Sequence, residues 1–424
     1  MNSVSREILL DGVEFVSVRE SRFKTMRISA TATIPLRKET VSHFALLSQV
    51  LTRSCGEYPD FTLLSKKLST LYGASLECSV RKFSSNLALT FAVSGIDDKY
   101  ALDGDSISLQ LSELLCKVIF EPRFEDGTFV GEEIEQERRQ LLDLADSEFG
   151  DKRRYSNNRL LELMCKDEPF GIKRYGSKEL ISTVTADDLK NAWKTMLTEA
   201  KFTIIYIGDS SSDKAKEVFF GKFSQYTRNV QTDEATFVRR AEKVQEFTEE
   251  MEVSQAKLLM GFRTDTITPE EDVTAMRLMC AILGGGANSK FFKNIREKES
   301  LCYYCFSRFH RSVGIITVES GIEAANIEKT RSAVMRELNE MQSGNITDEE
   351  IEFAKRSVAN DFISICDTVS GIEEWYLSQL SDGQYLSVEQ ATEDFMKVTK
   401  EELVACANKV TLDTVFVLRG KEDK

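Results

Sequence analysis

The chain contains two histidines, His43 and His310, far apart in sequence. A metal site that needs two neighbouring imidazoles is not expected within one copy of it, so ordinary zinc hydrolase chemistry is disfavoured. Nine cysteines, an odd number, are spread evenly at Cys55, Cys78, Cys116, Cys165, Cys280, Cys302, Cys305, Cys366 and Cys406. That pattern fits reduced thiols used as small apolar residues in a cytoplasmic protein. Cys302 and Cys305 form a C-x-x-C, the spacing of redox pairs at helix N-termini. Their context, LCYYCFSRF, reads as a strand. Residues three apart on a regular strand point to opposite faces, so these thiols are expected to be structural. The acid-rich stretch Glu132, Glu133, Glu135 and Glu137 reads as a solvated helix face. GGGANSK (284–290) lacks the G-x-x-x-x-G-K-[ST] spacing of a phosphate loop and follows a helical segment, which makes it a helix–helix turn.

Composition narrows the class further. Lys and Arg number 55 against 69 Asp and Glu, a net charge of −14, which excludes a nucleic-acid reader that needs a basic face. With 42% hydrophobic and 29% charged residues the chain is ordinary for a globular protein, and 424 residues suffice for two or three domains. The opening MNSVSREILLDGVEF shows no apolar signal-peptide core, and no apolar run reaches membrane-spanning length. A cytoplasmic protein without a membrane segment is expected.

The elements that must position any site come in duplicate. GASLECSVRKFSSNLALTFAVSGI (73–96) resembles ESLCYYCFSRFHRSVGIITVESGI (299–322), each reading as two strands joined by a polar turn. GEEIEQERR (131–139) matches DEEIEFAKR (348–356), VTADDL (184–189) matches VTKEEL (398–403), and FTIIYIGD matches TVFVLRGK. Four matches in one order, with slowly shrinking offsets, define a duplicated domain. Each half is expected to open on a strand (MRISATATI, 26–34; AKLLMGFRT, 256–264). Two helices follow, at about 40–53 and 60–72 or about 270–284 and 288–298, and then the strand pair. A long helix begins near Glu132 or Glu349, and Thr185 and Thr399 read as N-caps with Asp188 and Glu402 three residues on. The polar stretch around 225–245 separates domains assigned to 1–230 and 231–424. The fold class is α+β: two homologous domains, each a mostly antiparallel sheet packed with helices.

A duplicated α+β chain of this order resembles the insulinase/pitrilysin-type (inverzincin) metallopeptidases, including the mitochondrial processing peptidases, across essentially its whole length. The carrying segments are LGGGANSKFFKNIREKESLCYYCFSRF (283–309), PDFTLLSKKLSTLYGASLE (59–77) and DEPFG (167–171). The resemblance implies half of a clamshell around a peptide chamber. The family's Arg and Tyr, seven residues apart, fall on Arg296 and Tyr303. Its H-x-x-E-H puts two zinc-binding imidazoles and a general base on one helix face. Here those positions hold Ala45, Leu46, Leu47, Ser48 and Gln49, and the downstream ligand glutamate falls on Leu144, or on Asp143 if the register slips by one. His43 lies two residues before the first ligand position, roughly 200° away on a helix, and does not substitute. The edge that takes the peptide as an added strand is placed at Ala74, Ser75, Leu76, Glu77 and Cys78.

Taken alone, Arg296 reads as a solvated helix charge and Tyr303 as a half-buried strand aromatic. The resemblance assigns them instead a role in trans. This chain then resembles the zinc-less subunits of Gram-positive bacteria, which supply the Arg/Tyr pair while a zinc-bearing paralogous partner supplies the metal. No cofactor is expected in this chain, peptide is the expected substrate, and a homodimer is the fallback without the partner. The alternative is a structural scaffold subunit with no part in proteolysis. The chain purified alone is expected to bind no stoichiometric zinc at Ala45–Gln49. Elemental analysis after mild dialysis checks this, and one zinc per chain, lost on mutation near Gln49, would overturn the expectation.

Overall fold

The computed structural model describes residues 4–234, 237–380 and 385–421, apart from the side chain of Asp103. The chain divides into two compact units. One takes the chain as far as Ser147 together with Ile172–Glu234 and Cys366–Leu377. The other takes Glu148–Gly171, the stretch ending at Ile365 and what is described from Ser378 onward. Neither is one continuous run of sequence.

The first unit holds β1 (Val4–Leu10), β2 (Val13–Arg19), β3 (Thr25–Pro35), β4 (Ser75–Phe83) and β5 (Asn86–Ile96). A two-residue hairpin, β6 (Phe124–Glu125) and β7 (Thr128–Phe129), stands apart, and β8 (Lys201–Gly208) completes a sheet ordered β1-β2-β8-β3-β5-β4. The second unit holds β9 (Gln245–Met251), β10 (Ala256–Arg263), β11 (Cys302–His310), β12 (Ile315–Ile322) and β13 (Thr411–Gly420). Its order is β11-β12-β10-β13-β9. From the β9 end this repeats β2-β8-β3-β5-β4, including the parallel pair, β2 with β8 and β9 with β13. Each sheet is therefore mixed, antiparallel but for that pair. The matched segments become the hairpins β4–β5 and β11–β12 and the helices Gly131–Gly150 and Asp348–Ile365. Thr185 and Thr399 close reciprocal capping boxes with Asp188 and Glu402.

Two features differ from the sequence expectation. MRISATATI and AKLLMGFRT do not open their halves, because β1 and β2 precede the first and β9 the second. β9 (QEFTEEM) is an edge strand with exposed residues at every other position, so it carries no apolar run. β3, by contrast, is buried from Met26 to Ile34, as a central strand covered on both faces must be. Met26 and Ile28 belong to the main core with the helices Val41–Leu51, Ile107–Phe120 and Ala186–Glu199. Arg27 points the opposite way, because successive side chains alternate across a strand.

On that opposite face each sheet carries one helix tied by a buried arginine. In the first unit the helix is Val369–Leu377, and Arg27 Nε donates to Glu373 Oε2 at 2.6 Å while its Nη1 donates to Ser94 Oγ at 3.0 Å. In the second it is Lys152–Met164, whose Leu160 packs with Leu259, Phe416 and Leu418. A Cβ at Gly261 would lie 2.5 Å from the Met164 sulfur, so a larger residue there would have to push that thioether aside. Arg263, 1% exposed, donates to Glu168 Oε1 at 2.6 Å, Glu168 Oε2 at 3.0 Å, Asp413 Oδ2 at 2.9 Å and the Met164 carbonyl at 3.1 Å. Desolvation opposes the charge, but hydrogen bonds to two carboxylates overcome it and hold the guanidinium above its ordinary range. Arg263→Ala strands two buried carboxylates and is expected to cost about 3–5 kcal/mol. Arg81→Ala, which loses an exposed ion pair with Glu374, is expected to cost less than about 1 kcal/mol. Urea denaturation compares them, and equal costs would show the buried triad to be idle.

Candidate functional site

The helix Val41–Leu51 is a core helix: Ala45, Leu46, Leu47, Ser48, Val50 and Leu51 are all buried, and Gln49 is half-buried. Ser48 Oγ donates to the Ala45 carbonyl at 2.8 Å. The Ser48 and Thr52 hydroxyls also reach the Cys78 thiol, Thr52 Oγ1 at 3.6 Å. Burial pushes that thiol up despite both hydroxyls. Ser48, at an expected metal position, and Cys78, on the strand edge, thus meet side by side. Leu144 is half-buried on the helix Gly131–Gly150 and packs against the core to which Ala45 belongs, with Asp143 exposed beside it. A methyl, an engaged hydroxyl, an amide and an isobutyl group do not fit zinc. Among the described residues no group of three or more His, Cys, Asp and Glu side chains is placed to hold a metal ion.

The acid stretch is only half solvated. Glu132 and Glu135 are exposed, but Glu133 and Glu137 are buried at 8% and 5%. Ser54 Oγ donates to Glu133 Oε2 at 2.8 Å and Arg53 Nη1 to Glu137 Oε1 at 2.8 Å, binding the end of one helix to the other. A spacing of four puts Glu133 and Glu137 on one helix face, the signal that could have flagged them.

Residues Ala74–Cys78 run into β4, the edge strand, which pairs on one side only, with β5. Ala74 is buried and Ser75 and Glu77 are exposed; Leu76 and Cys78 pack against the core. Glu77 meets Arg27 at 2.5 Å. Ala74 N–H is already bonded to the Leu68 and Leu71 carbonyls, at 3.1 and 3.2 Å, and the strand proper begins at Ser75 with no second ladder among the described residues.

Arg296 lies in the last turn of Phe291–Lys298, which winds as a π-helix, a rare form often found at functional sites. Glu299 N–H donates to Asn294 O at 3.1 Å and Leu301 N–H to Ile295 O at 3.0 Å, and Ser300 takes a left-handed φ of 50°. This tight exit turn leads directly into β11. Arg296 sits over the Phe292 ring at 4.6 Å, 3.7 Å from Glu297, and its side chain is 42% exposed. Tyr303 is 59% exposed, and its hydroxyl lies 3.5 Å from Glu323 Oε1. No hydrogen bond joins Arg296 to Tyr303.

The strand carrying Tyr303 is irregular at that residue. Cys302 pairs with Ile322 and Tyr304 with Gly321, so Tyr303 is the extra residue of a β-bulge. Bulges re-aim side chains. This one also overturns the expectation for the thiols. With one residue inserted, Cys302 and Cys305 fall on the same face, both buried and within hydrogen-bonding reach of each other. Alternation along LCYYCFSRF could not show an inserted residue.

A duplicated α+β chain with its metal positions filled by unsuited groups defines a zinc-less relative of the two-domain metallopeptidases. Residues 183–358 match the family described as Peptidase M16 inactive domain. The chain is 29% identical over 405 residues to the probable inactive metalloprotease YmfF of Bacillus subtilis (strain 168), spanning 96% of this chain and 95% of that one. It is 20% identical over 246 residues to the uncharacterized zinc protease YmxG of the same organism, 57% of this chain and 59% of the relative. A conserved protein from Enterococcus faecalis V583 superposes with a TM-score of 0.91 at 26% identity, over 99% of each chain. A protease from Helicobacter pylori shares the fold, with a TM-score of 0.81 at 15% identity over 99% of this chain and 100% of that one. The matched stretch and these relatives make the chain similar to the M16 peptidases, and its sequence carries no H-x-x-E-H zinc motif.

Burial pushes the Glu137 carboxyl up, against the hydrogen bond from Arg53. The folded state then keeps a proton that the unfolded chain has lost, so stability falls as pH rises from the ordinary glutamate value through the raised one. Glu137→Gln removes that dependence. Its stability relative to wild type is expected to increase from about pH 4 to about pH 7 in urea denaturation, and a flat or falling difference would contradict the assignment.

Proposed function

We propose that this chain is the non-catalytic subunit of a two-chain peptidase and works with a zinc-bearing paralogue. The observation that carries the reading is a contrast within one molecule. Ala45, Ser48, Gln49 and Leu144 have lost every ligand type zinc prefers, while Arg296 and Tyr303 stay exposed, one on a π-helix and one on a bulge. A structural arginine or tyrosine would gain more from burial in a paired network. A guanidinium and a phenol aimed at a scissile carbonyl donate to the oxygen as negative charge develops there. The free edge of β4 at Ala74–Cys78 would take peptide as an added strand, with backbone hydrogen bonds giving affinity largely independent of side chains. Nine free cysteines suit a reducing, cytoplasmic setting.

A scaffold role is the second reading, favoured by the carboxylates already beside both donors, Glu297 near Arg296 and Glu323 near Tyr303. Kinetics with the zinc-bearing partner separate the two. Arg296→Ala or Tyr303→Phe is expected to lower the cleavage rate of the mixed complex by about 10²–10³, with assembly and folding unchanged. Cleavage at the wild-type rate by both variants would favour the scaffold.

A further inference from the structure

Cys302 and Cys305 flank the residue that the bulge turns outward. We propose that they form a reversible disulfide across Tyr303 and Tyr304, made by exchange with a small-molecule disulfide.

Four observations carry this. The inserted Tyr303 puts both sulfurs on one face of β11, which an unbulged strand would not do. Their ladder partners, Ile322 and Ser320, are two residues apart on β12, so no side chain of β11 stands between the two thiols on that face. Both cysteines are free, and their thiols are in hydrogen-bonding contact. β11 is an edge strand paired only with β12, so its bulge can adjust without breaking a second ladder.

The two thiols also differ in a useful way. Cys302 is lowered from the ordinary thiol value, first by the hydrogen bond from Cys305, against desolvation, and then by the Arg296 guanidinium. Cys305 is pushed well up by the same contact and by burial. Burial also pushes up Cys55, Cys78, Cys116, Cys280 and Cys406. Cys302, 9% exposed against 3% for Cys305, is therefore the attacking sulfur. Its thiolate attacks one sulfur of the small disulfide, forming a mixed disulfide and expelling one small thiolate. Cys305 loses its proton to solvent and attacks the Cys302 sulfur, expelling the second small thiolate. Two protein thiols become one disulfide, and the small disulfide is reduced to two thiols. The closed ring fixes the bulge that aims Tyr303. The dithiol does not depend on Tyr303 serving peptide cleavage.

The test treats the reduced full-length chain with oxidised glutathione under native conditions, quenches with acid, alkylates and maps peptides by mass. The expected result is a Cys302–Cys305 link that forms at least about tenfold faster than any modification of Cys116, Cys280 or Cys406 and is reversed by dithiothreitol. Cys305→Ser should trap glutathione on Cys302, whereas Cys302→Ser should leave Cys305 unmodified. A wild-type pair that stays fully alkylated, or that links only after urea is added, overturns the proposal. The wild-type map decides the matter even where a serine variant folds poorly.

Discussion

Each sheet of this protein depends on one buried arginine. Arg263 is enclosed by Glu168, Asp413 and the Met164 carbonyl, and Arg27 by Glu373 and Ser94. A guanidinium out of water is tolerable only with its hydrogen bonds filled, so each arginine fixes where its covering helix lies. That cover makes β3 and β10 central strands buried on both faces. A strand buried on both faces in turn holds the hairpins β4–β5 and β11–β12 in register at the far side of each sheet. The candidate site residues sit on those hairpins or on the helices beside them.

Duplication explains why the two halves could diverge without losing the fold. In the first half the helix after β3 has become pure core: Ala45, Leu46 and Leu47 pack inward, and Ser48 satisfies its hydroxyl against Ala45 and Cys78. Nothing there asks for a metal to complete it. In the second half the counterpart helix Val273–Gly284 is also buried, but the segments after it carry exposed donors on a π-helix and a bulge, irregularities that stability alone does not call for. The difference lies in the site and not in the sheet, as expected when function is carried by side chains on a shared framework.

The bulge at Tyr303 links two chemistries that the sequence shows separately. It turns the phenol outward and brings two thiols to one face with a single inserted residue. Arg296 bears on both, seven residues from Tyr303 and electrostatically on Cys302. The compact exit turn at Ser300 holds the helix end against the start of the strand.

Much of this was legible in the residues. Periodicity and the four internal matches determined a duplicated α+β chain, because apolar spacing and capping pairs such as Thr185 with Asp188 and Thr399 with Glu402 act over a few residues and leave a local trace. That Ala45, Ser48, Gln49 and Leu144 are unsuited to zinc was equally plain, since ligand chemistry is a property of residue type. Other features were decided only in three dimensions. β1 and β9 stayed hidden because edge strands need not be apolar. Glu133 and Glu137 looked solvated until Ser54 and Arg53 were found against them, because burial of a charge is set by partners distant in sequence. The shared face of Cys302 and Cys305 depends on a ladder with β12 that skips Tyr303, and strand register is set by the neighbouring strand and not by the residues themselves.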